Sequence, residues 1–281
     1  MKQGKMILLP LDGSDISLKA VLPAKSIAIL LNMIVHILYV SDETLSKEEL
    51  IKKTRIKMEE FPRCIISHKK GNPVEVILEE AKNAEYVVMC TQGEGYDPEK
   101  ISGSTATKVI ENSTTPVLLI RPNIKIQQKD DLWEAKNVLI PLNGSPGAAQ
   151  ALEPTMAILS KTNAEIDLLH ISVSEMKHPA ESGMYTVPYY EDHPQHEWPS
   201  WSKEFLRRFG PTLKNHFKVE FFVSTGDPAE HIINFSKDHN NDLIAMAWHG
   251  KLAPPHANIL RRVMYETPCP VLLTKINHKE S

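Results

Sequence analysis

The chain reads as an α/β protein of two tandem doubly wound (Rossmann-like) domains, each on a five-stranded, mainly parallel sheet. Three observations predict this. The sequence repeats itself, each copy alternates strand and helix signals, and the strand-like runs are almost continuously apolar. Runs of that kind belong to parallel strands covered by helices on both faces. The length of 281 residues suits two units at about 100–200 residues per domain.

The repeat is legible from the first residues. KMILLPLDGS (5–14) and KNVLIPLNGS (136–145) agree at six of ten positions, an offset of 131. Ala20, Pro23 and Ile27 match Ala151, Pro154 and Ile158 at that offset, and VHILYVS (35–41) matches IDLLHIS (166–172). GNPVEVI (71–77) matches GDPAEHI (226–232) at 155, and the PVLL of TTPVLLI (114–120) matches the PVLL of TPCPVLL (267–273) at 154. Five landmarks in one order mark a duplicated unit of roughly 120–145 residues, too long for a solenoid repeat. The expected boundaries are 1–122, a polar linker 123–135, and 136–281.

Within the first copy, ILLPL is a short apolar strand followed by the turn Asp12-Gly13-Ser14. Ser14 or Asp15 can cap the next helix, whose Ser17, Ala20, Ala24, Ile27 and Leu31 recur at helical spacing. Pro23, repeated as Pro154, predicts either a kink or a late helix start. VHILYV is a buried-strand run, and Ser46 to Phe61 has helical charge spacing. CIISHKKG gives a third strand, and Pro73 to Lys82 opens a helix at its first turn. YVVMC is a fourth strand, Ser104 to Asn112 a helix and PVLLI a fifth strand.

Composition narrows the function. Apolar residues make up 42% and charged residues 24%, with 32 basic against 35 acidic side chains and a net charge of −3. A core can be buried, and the charge gives no footprint for nucleic acid. The longest apolar stretch, Ile27 to Val40, is 14 residues and is interrupted by Asn32 and His36, too short for a bilayer. The N-terminus carries no signal-peptide cleavage pattern, and Cys64, Cys90 and Cys269 are widely spaced and odd in number. A soluble cytoplasmic protein is expected, with no membrane and no nucleic acid among its partners.

Open parallel sheets bind ligands beyond the carboxyl ends of their strands, at the switch point. Asp12 ends the first strand, Val40-Ser41 the second and Cys90 to Gly93 the fourth, so these segments should share a crevice. Gly103-Ser104-Thr105 opens a helix, whose free N–H groups and dipole favour phosphate. Gly93 and Gly103 let the backbone come close, Ser104 and Thr105 add hydroxyls, and Asp12 can accept from a ribose hydroxyl.

The order of LPLDGS, GNPVEVI and CTQGEGYDPEKISGSTATKVIENSTTPVLLI resembles the universal stress protein family, and its tandem members in particular. Nucleotide-binding members carry Gly-x2-Gly-x9-Gly-Ser before a helix and a Pro-Val-Leu strand. Here Gly93, nine residues and Gly103-Ser104 fit, while Cys90 replaces the first glycine. The resemblance implies ATP as cofactor, with a divalent ion such as Mg or Mn on its phosphates, and backbone contact at Val40 with the adenine edge. Cofactor-binding residues are then Asp12, Val40, Cys90, Gly93, Gly103, Ser104 and Thr105. It also implies pairing through the last strand, so that PVLLI and PVLLT make a pseudo-dimer within one chain; dimerisation of whole chains is not readable.

The second copy reads as degenerate. Gly250 matches Gly93, but only six residues precede Ala257-Asn258, Pro254 and Pro255 remove two donors, and Asn143 replaces Asp12. The insertion Met176 to Trp201 holds His193 and His196, weak candidates for metal, and aromatic residues suited to a lid. His170, His249 and His256 could face the old crevice. The implied function is a stress-response switch that depends on ATP in the N-terminal domain, with no catalytic residue assigned and hydrolysis absent or slow. The alternatives are a slow ATPase or nucleotidyl-transfer enzyme, and a nucleotide-free scaffold or C-terminal ligand or metal binder.

Overall fold

A computed structural model of the chain describes residues 5–93, 97, 102–126, 128–142, 148–172, 217–252 and 257–276. The front half runs β1 (Met6–Leu11), α1 (Val21–Leu31), β2 (Ile34–Val40), α2 (Lys47–Thr54), β3 (Cys64–Lys69), α3 (Pro73–Ala81), β4 (Tyr86–Cys90), α4 (Ser104–Asn112) and β5 (Val117–Ile120). The back half contributes β6 (Asn137–Leu142), α5 (Leu152–Leu159), β7 (Glu165–Ser172), β8 (Lys218–Thr225), α6 (Pro228–Asp238), β9 (Leu243–Trp248), α7 (Asn258–Glu266) and β10 (Val271–Lys275).

The ten strands form one sheet in the order β3-β2-β1-β4-β5-β10-β9-β6-β7-β8. Every pairing is parallel except β5 with β10, which run antiparallel with Leu118 opposite Leu272. The last strands therefore join the two five-stranded sheets about a pseudo-two-fold axis, and neither is left as an open edge that invites association. The expected pseudo-dimer within one chain is present. Tyr86 reaches across it, its hydroxyl donating to the Pro154 carbonyl at 2.7 Å.

Residue parity explains the apolar runs. In β1, Ile7, Leu9 and Leu11 enter the core beneath α1 and α5, whereas Leu8 enters the core beneath α3, α4, α6 and α7. In β4, Tyr86, Val88 and Cys90 face the first core, and Val87 and Met89 the second. With both faces covered, a polar side chain in these strands would be buried and would need a hydrogen-bond partner.

Pro23 and Pro154 resolve as late starts. Each is the third residue of its α-helix, after a single 3-10 turn at Ser17–Ala20 or Ala148–Ala151. A proline in a first turn costs little because donors there lack a full set of helical acceptors. Just before the earlier turn, Ser14 Oγ accepts from the Ser17 amide at 3.1 Å.

One expectation is corrected. The helical segment 46–61 is interrupted: a reciprocal Ser46–Glu49 capping box starts α2, and Arg55 at φ 57 ends it. The chain must then turn so that Ile56 and Phe61 enter the first core. Only the single turn Met58–Glu60 remains helical beyond that point. The segment read as a polar linker is anchored: Ile124, Trp133 and Ala135 are buried, Trp133 at 2% exposure. The Trp133 amide donates at 2.8 Å to Ser26 Oγ, which donates in turn to the Leu22 carbonyl of α1. Among the described residues, no helix is long and apolar enough to cross a membrane.

Candidate functional site

In the front half β1 pairs with β2 on one side and β4 on the other. The β1–α1–β2 connection covers one face, while the connections into and out of β4 through α3 and α4 cover the opposite face. The sheet thus switches winding direction between β1 and β4, and the crevice that switch opens lies beyond Leu11 and Cys90.

Asp12 stands at one lip of this crevice. Its Oδ1 accepts from the Ser14 amide at 3.0 Å and the Ser14 hydroxyl at 2.7 Å, which fixes the plane of the carboxylate. Its Oδ2 lies directly over the Cα of Gly93 on the other lip. A Cβ at Gly93 would overlap Oδ2 and stand 3.0 Å from Cγ. Gly93 is therefore glycine because the carboxylate occupies the space of its side chain. The adjoining turn is as tight: Gly13 has φ 83, and a Cβ there would meet the Lys53 carbonyl oxygen at 2.6 Å. A carboxylate has about four acceptor positions, so Asp12 can take a ligand hydroxyl while Ser14 holds it.

The far side of the crevice is the start of α4. Gly103, in extended conformation, donates its amide to the Thr91 carbonyl at 2.7 Å, tying the helix start to the end of β4. Among the described residues no side chain caps α4, as with α1, α5 and α7, whereas α2, α3 and α6 are capped by Ser46, Asn72 and Asp227. The Thr107 amide bonds the Gly103 carbonyl at 3.0 Å. The amides of Ser104, Thr105 and Ala106 precede it at the positive end of the helix dipole, with Ser104 exposed and Thr105 half-buried.

Thr91 is a feature that sequence reading missed. It is 2% exposed, and its Oγ1 is buried without a hydrogen-bond partner among the described residues. An unsatisfied buried hydroxyl costs roughly 1–3 kcal/mol, and such a cost persists at sites where a ligand supplies the partner. A threonine at a strand end is ordinary in sequence, so only geometry distinguishes it.

Val40 and Cys90 occupy different surroundings. The Ile34 amide donates to the Lys5 carbonyl and the Ser41 amide to Lys69, so alternate residues of β2 address β1 and β3. By that alternation Val40 addresses β1, and its carbonyl points past the end of that strand beside Asp12. The Cys90 thiol turns away, donating to the Ile16 carbonyl at 2.8 Å from within the first core. Burial pushes its pKa up to about 12. It does not crowd the Gly93 backbone, and it is no nucleophile at neutral pH. Any part it plays at the crevice is through its main chain.

The two halves have diverged elsewhere as well. Beneath α3, His36 Nε2 lies 2.7 Å from Ser67 Oγ, with Glu80 3.6 Å from its Nδ1. Burial holds the imidazole below its usual pKa, against the pull of Glu80. The equivalent positions in the back half are Asp167, Phe222 and Phe235. There the ring of Phe235 stacks on His239 at 3.7 Å, and Phe222 meets it edge-on.

At the back-half crevice, His170 Nδ1 donates to the Leu142 carbonyl at 3.2 Å and His249 is exposed. Asn143, Pro254, Pro255 and His256 lie outside the described residues, as do His193, His196 and the rest of the 176–201 insertion. Glu94, Glu99 and Lys100 of the front loop lie outside them too.

Comparison with known proteins agrees with the architecture. The universal stress protein family pattern matches the chain twice, at residues 43–121 and 134–275. Universal stress protein MJ0531 of Methanocaldococcus jannaschii is 33% identical over 139 residues, which span 42% of this chain and 82% of that protein. A universal stress protein from Archaeoglobus fulgidus superposes with a TM-score of 0.69 at 18% identity, covering 98% of this chain and 100% of that one. A putative universal stress protein from Pseudomonas aeruginosa gives 0.65 at 14% identity, over 97% and 93%. A twice-matched family pattern, laid over two doubly wound sheets joined at their last strands, makes this chain a member of the universal stress protein family.

Proposed function

We propose that the front half, residues 1–122, binds an adenine nucleotide, ATP in the first instance, and that occupancy acts as a switch in a cytoplasmic stress response. One observation carries the reading: the Asp12 carboxylate is held over the bare Cα of Gly93, opposite the uncapped amides of α4. Those groups suit the two ends of a nucleotide. Asp12 takes a ribose hydroxyl in a charged hydrogen bond of about 1.5–3 kcal/mol. Ser104, Thr105 and the α4 amides take the phosphates, and the Val40 carbonyl takes the adenine amino group. The partnerless Thr91 hydroxyl supports the same ligand, since a polyphosphate offers acceptors to a buried donor.

ATP here supplies negative charge and a shape to close upon; the chain supplies orientation. A divalent ion such as Mg would take most of its ligands from the phosphates and water, as that ion prefers. The switch draws its energy from different affinities of the two loop states for the nucleotide. The back half carries the second copy of the fold without the Asp12 carboxylate, and acts as a partner to the front site.

The test is to denature freshly purified protein and assay the supernatant for adenine nucleotide by mass and absorbance. Wild type is expected to release it, and Asp12→Ala to release far less. Equal release from both, or an unrelated small molecule in its place, would overturn the assignment.

A further inference from the structure

The seam between the halves is nearly symmetric, and one of its asymmetric contacts falls on the helix of the proposed site. Two contacts form a related pair. Lys275 Nζ at the end of β10 donates to the Glu111 carbonyl in the last turn of α4 at 2.6 Å. Arg121, its equivalent after β5, donates to the Thr267 carbonyl just beyond α7 at 2.6 Å. Each places a cation at a helix C-terminus, where the dipole favours it. A third contact has no such twin among the described residues. The Leu252 amide donates to Glu111 Oε1 at 2.7 Å, and the Leu252 side chain is buried in the core that holds Ala106, Val109 and Ile110 of α4. The position on α7 equivalent to Glu111 is Tyr265, which has no carboxylate to offer.

Leu252 lies two residues after Gly250, the counterpart of Gly93. The loop that would follow the β9 end as a phosphate cradle is instead fastened, at its first turn, to the phosphate-facing helix of the other half. We infer that the back half's loop after β9 has become a latch on Glu111, which braces α4 and so sets the position of Gly103, Ser104 and Thr105. The role of Glu111 is positioning: it stands in the last turn of α4, away from the ligand end, and acts through a helix of nine residues. Gly103 N–H to Thr91 carbonyl at 2.7 Å fixes the near end of the same rod. Linkage makes the effect reciprocal: a nucleotide that draws on the α4 amides tightens the latch, and a tight latch raises affinity for the nucleotide. The first part stands on the seam alone; the coupling rests on the nucleotide reading.

Amide hydrogen exchange on the full chain separates the two parts. Without nucleotide, Glu111→Ala should speed exchange at the Leu252, Gly103 and Thr107 amides, while Glu111→Gln, which keeps an acceptor oxygen, should recover most of the protection. Alanine is a good helix former, so α4 should persist, and unchanged protection at Val109 and Ser113 would verify this. With saturating ATP, Leu252 protection should rise in wild type, and Glu111→Ala should weaken ATP binding about fivefold, the lower end of ordinary coupling. Unaltered exchange at Gly103 and Thr107 in apo Glu111→Ala would overturn the brace. ATP binding that leaves Leu252 exchange unchanged would overturn the coupling alone. A wild type that takes up no ATP would remove the nucleotide reading and the coupling with it, and the apo exchange would still decide the brace.

Discussion

Gly93→Ala should abolish nucleotide binding while leaving the fold assembled. The added methyl would overlap Asp12 Oδ2, and Asp12 cannot swing freely because two bonds from Ser14 hold its other oxygen. Overpacking of this kind costs about 1–3 kcal/mol, and relief requires the two lips of the crevice to part. Parting them separates the proposed ribose acceptor from the proposed phosphate loop, so a loss of at least about 100-fold in ATP affinity is expected, equivalent to about 2.7 kcal/mol. The second substitution sharpens the point. Asp12→Ala in the Gly93→Ala background removes the clash, so stability should recover through a favourable coupling between these touching residues. ATP affinity should not recover, because the carboxylate is gone. Chemical denaturation and calorimetry on the four proteins of the cycle would measure both quantities.

The largest loss of stability should come from a segment that composition marks as a linker. Trp133→Ala is expected to cost about 3–5 kcal/mol, the usual range for emptying a buried tryptophan site. The indole lies in the same core as α1, α5 and the strands beneath them, and its amide is bonded to the fully buried Ser26. For a chain of this size each kilocalorie shifts the melting midpoint by about 2–4 °C, so a drop of roughly 10 °C follows. The exposed Lys129→Ala, a few residues away, should stay within about 0.5 kcal/mol of wild type. Equal effects from the two would mean that the linker is not part of the core.

These two residues also mark what sequence could and could not disclose. Strand and helix positions were legible wherever burial on both faces enforced an uninterrupted apolar run. Tyr86–Cys90 and Ser104–Asn112 appear at the residues expected, because nothing but a central strand or a glycine-started helix suits them. The antiparallel meeting of β5 and β10 was legible through the resemblance alone, since an apolar last strand does not name its neighbour. Trp133 escaped because one large side chain among lysines and aspartates hardly changes the composition of a segment, though it dominates the area buried. Arg55 escaped because charge spacing continues past it, while the need to bury Ile56 and Phe61 does not appear in any local pattern. At the site, spacing brought Asp12, Gly93 and Gly103 to attention. The reason for Gly93, a carboxylate lying where its side chain would be, is a long-range contact that no local motif encodes. Thr91 left no trace at all, because an unsatisfied hydroxyl is a property of surroundings.

On the proposed function, one crevice, in the front half, holds one nucleotide. The most direct test is calorimetric titration of the intact, nucleotide-stripped chain with ATP. One site per chain is expected, lost in Gly93→Ala and weakened in Asp12→Ala. Two equivalent sites per chain, or a single site indifferent to both substitutions, would contradict it.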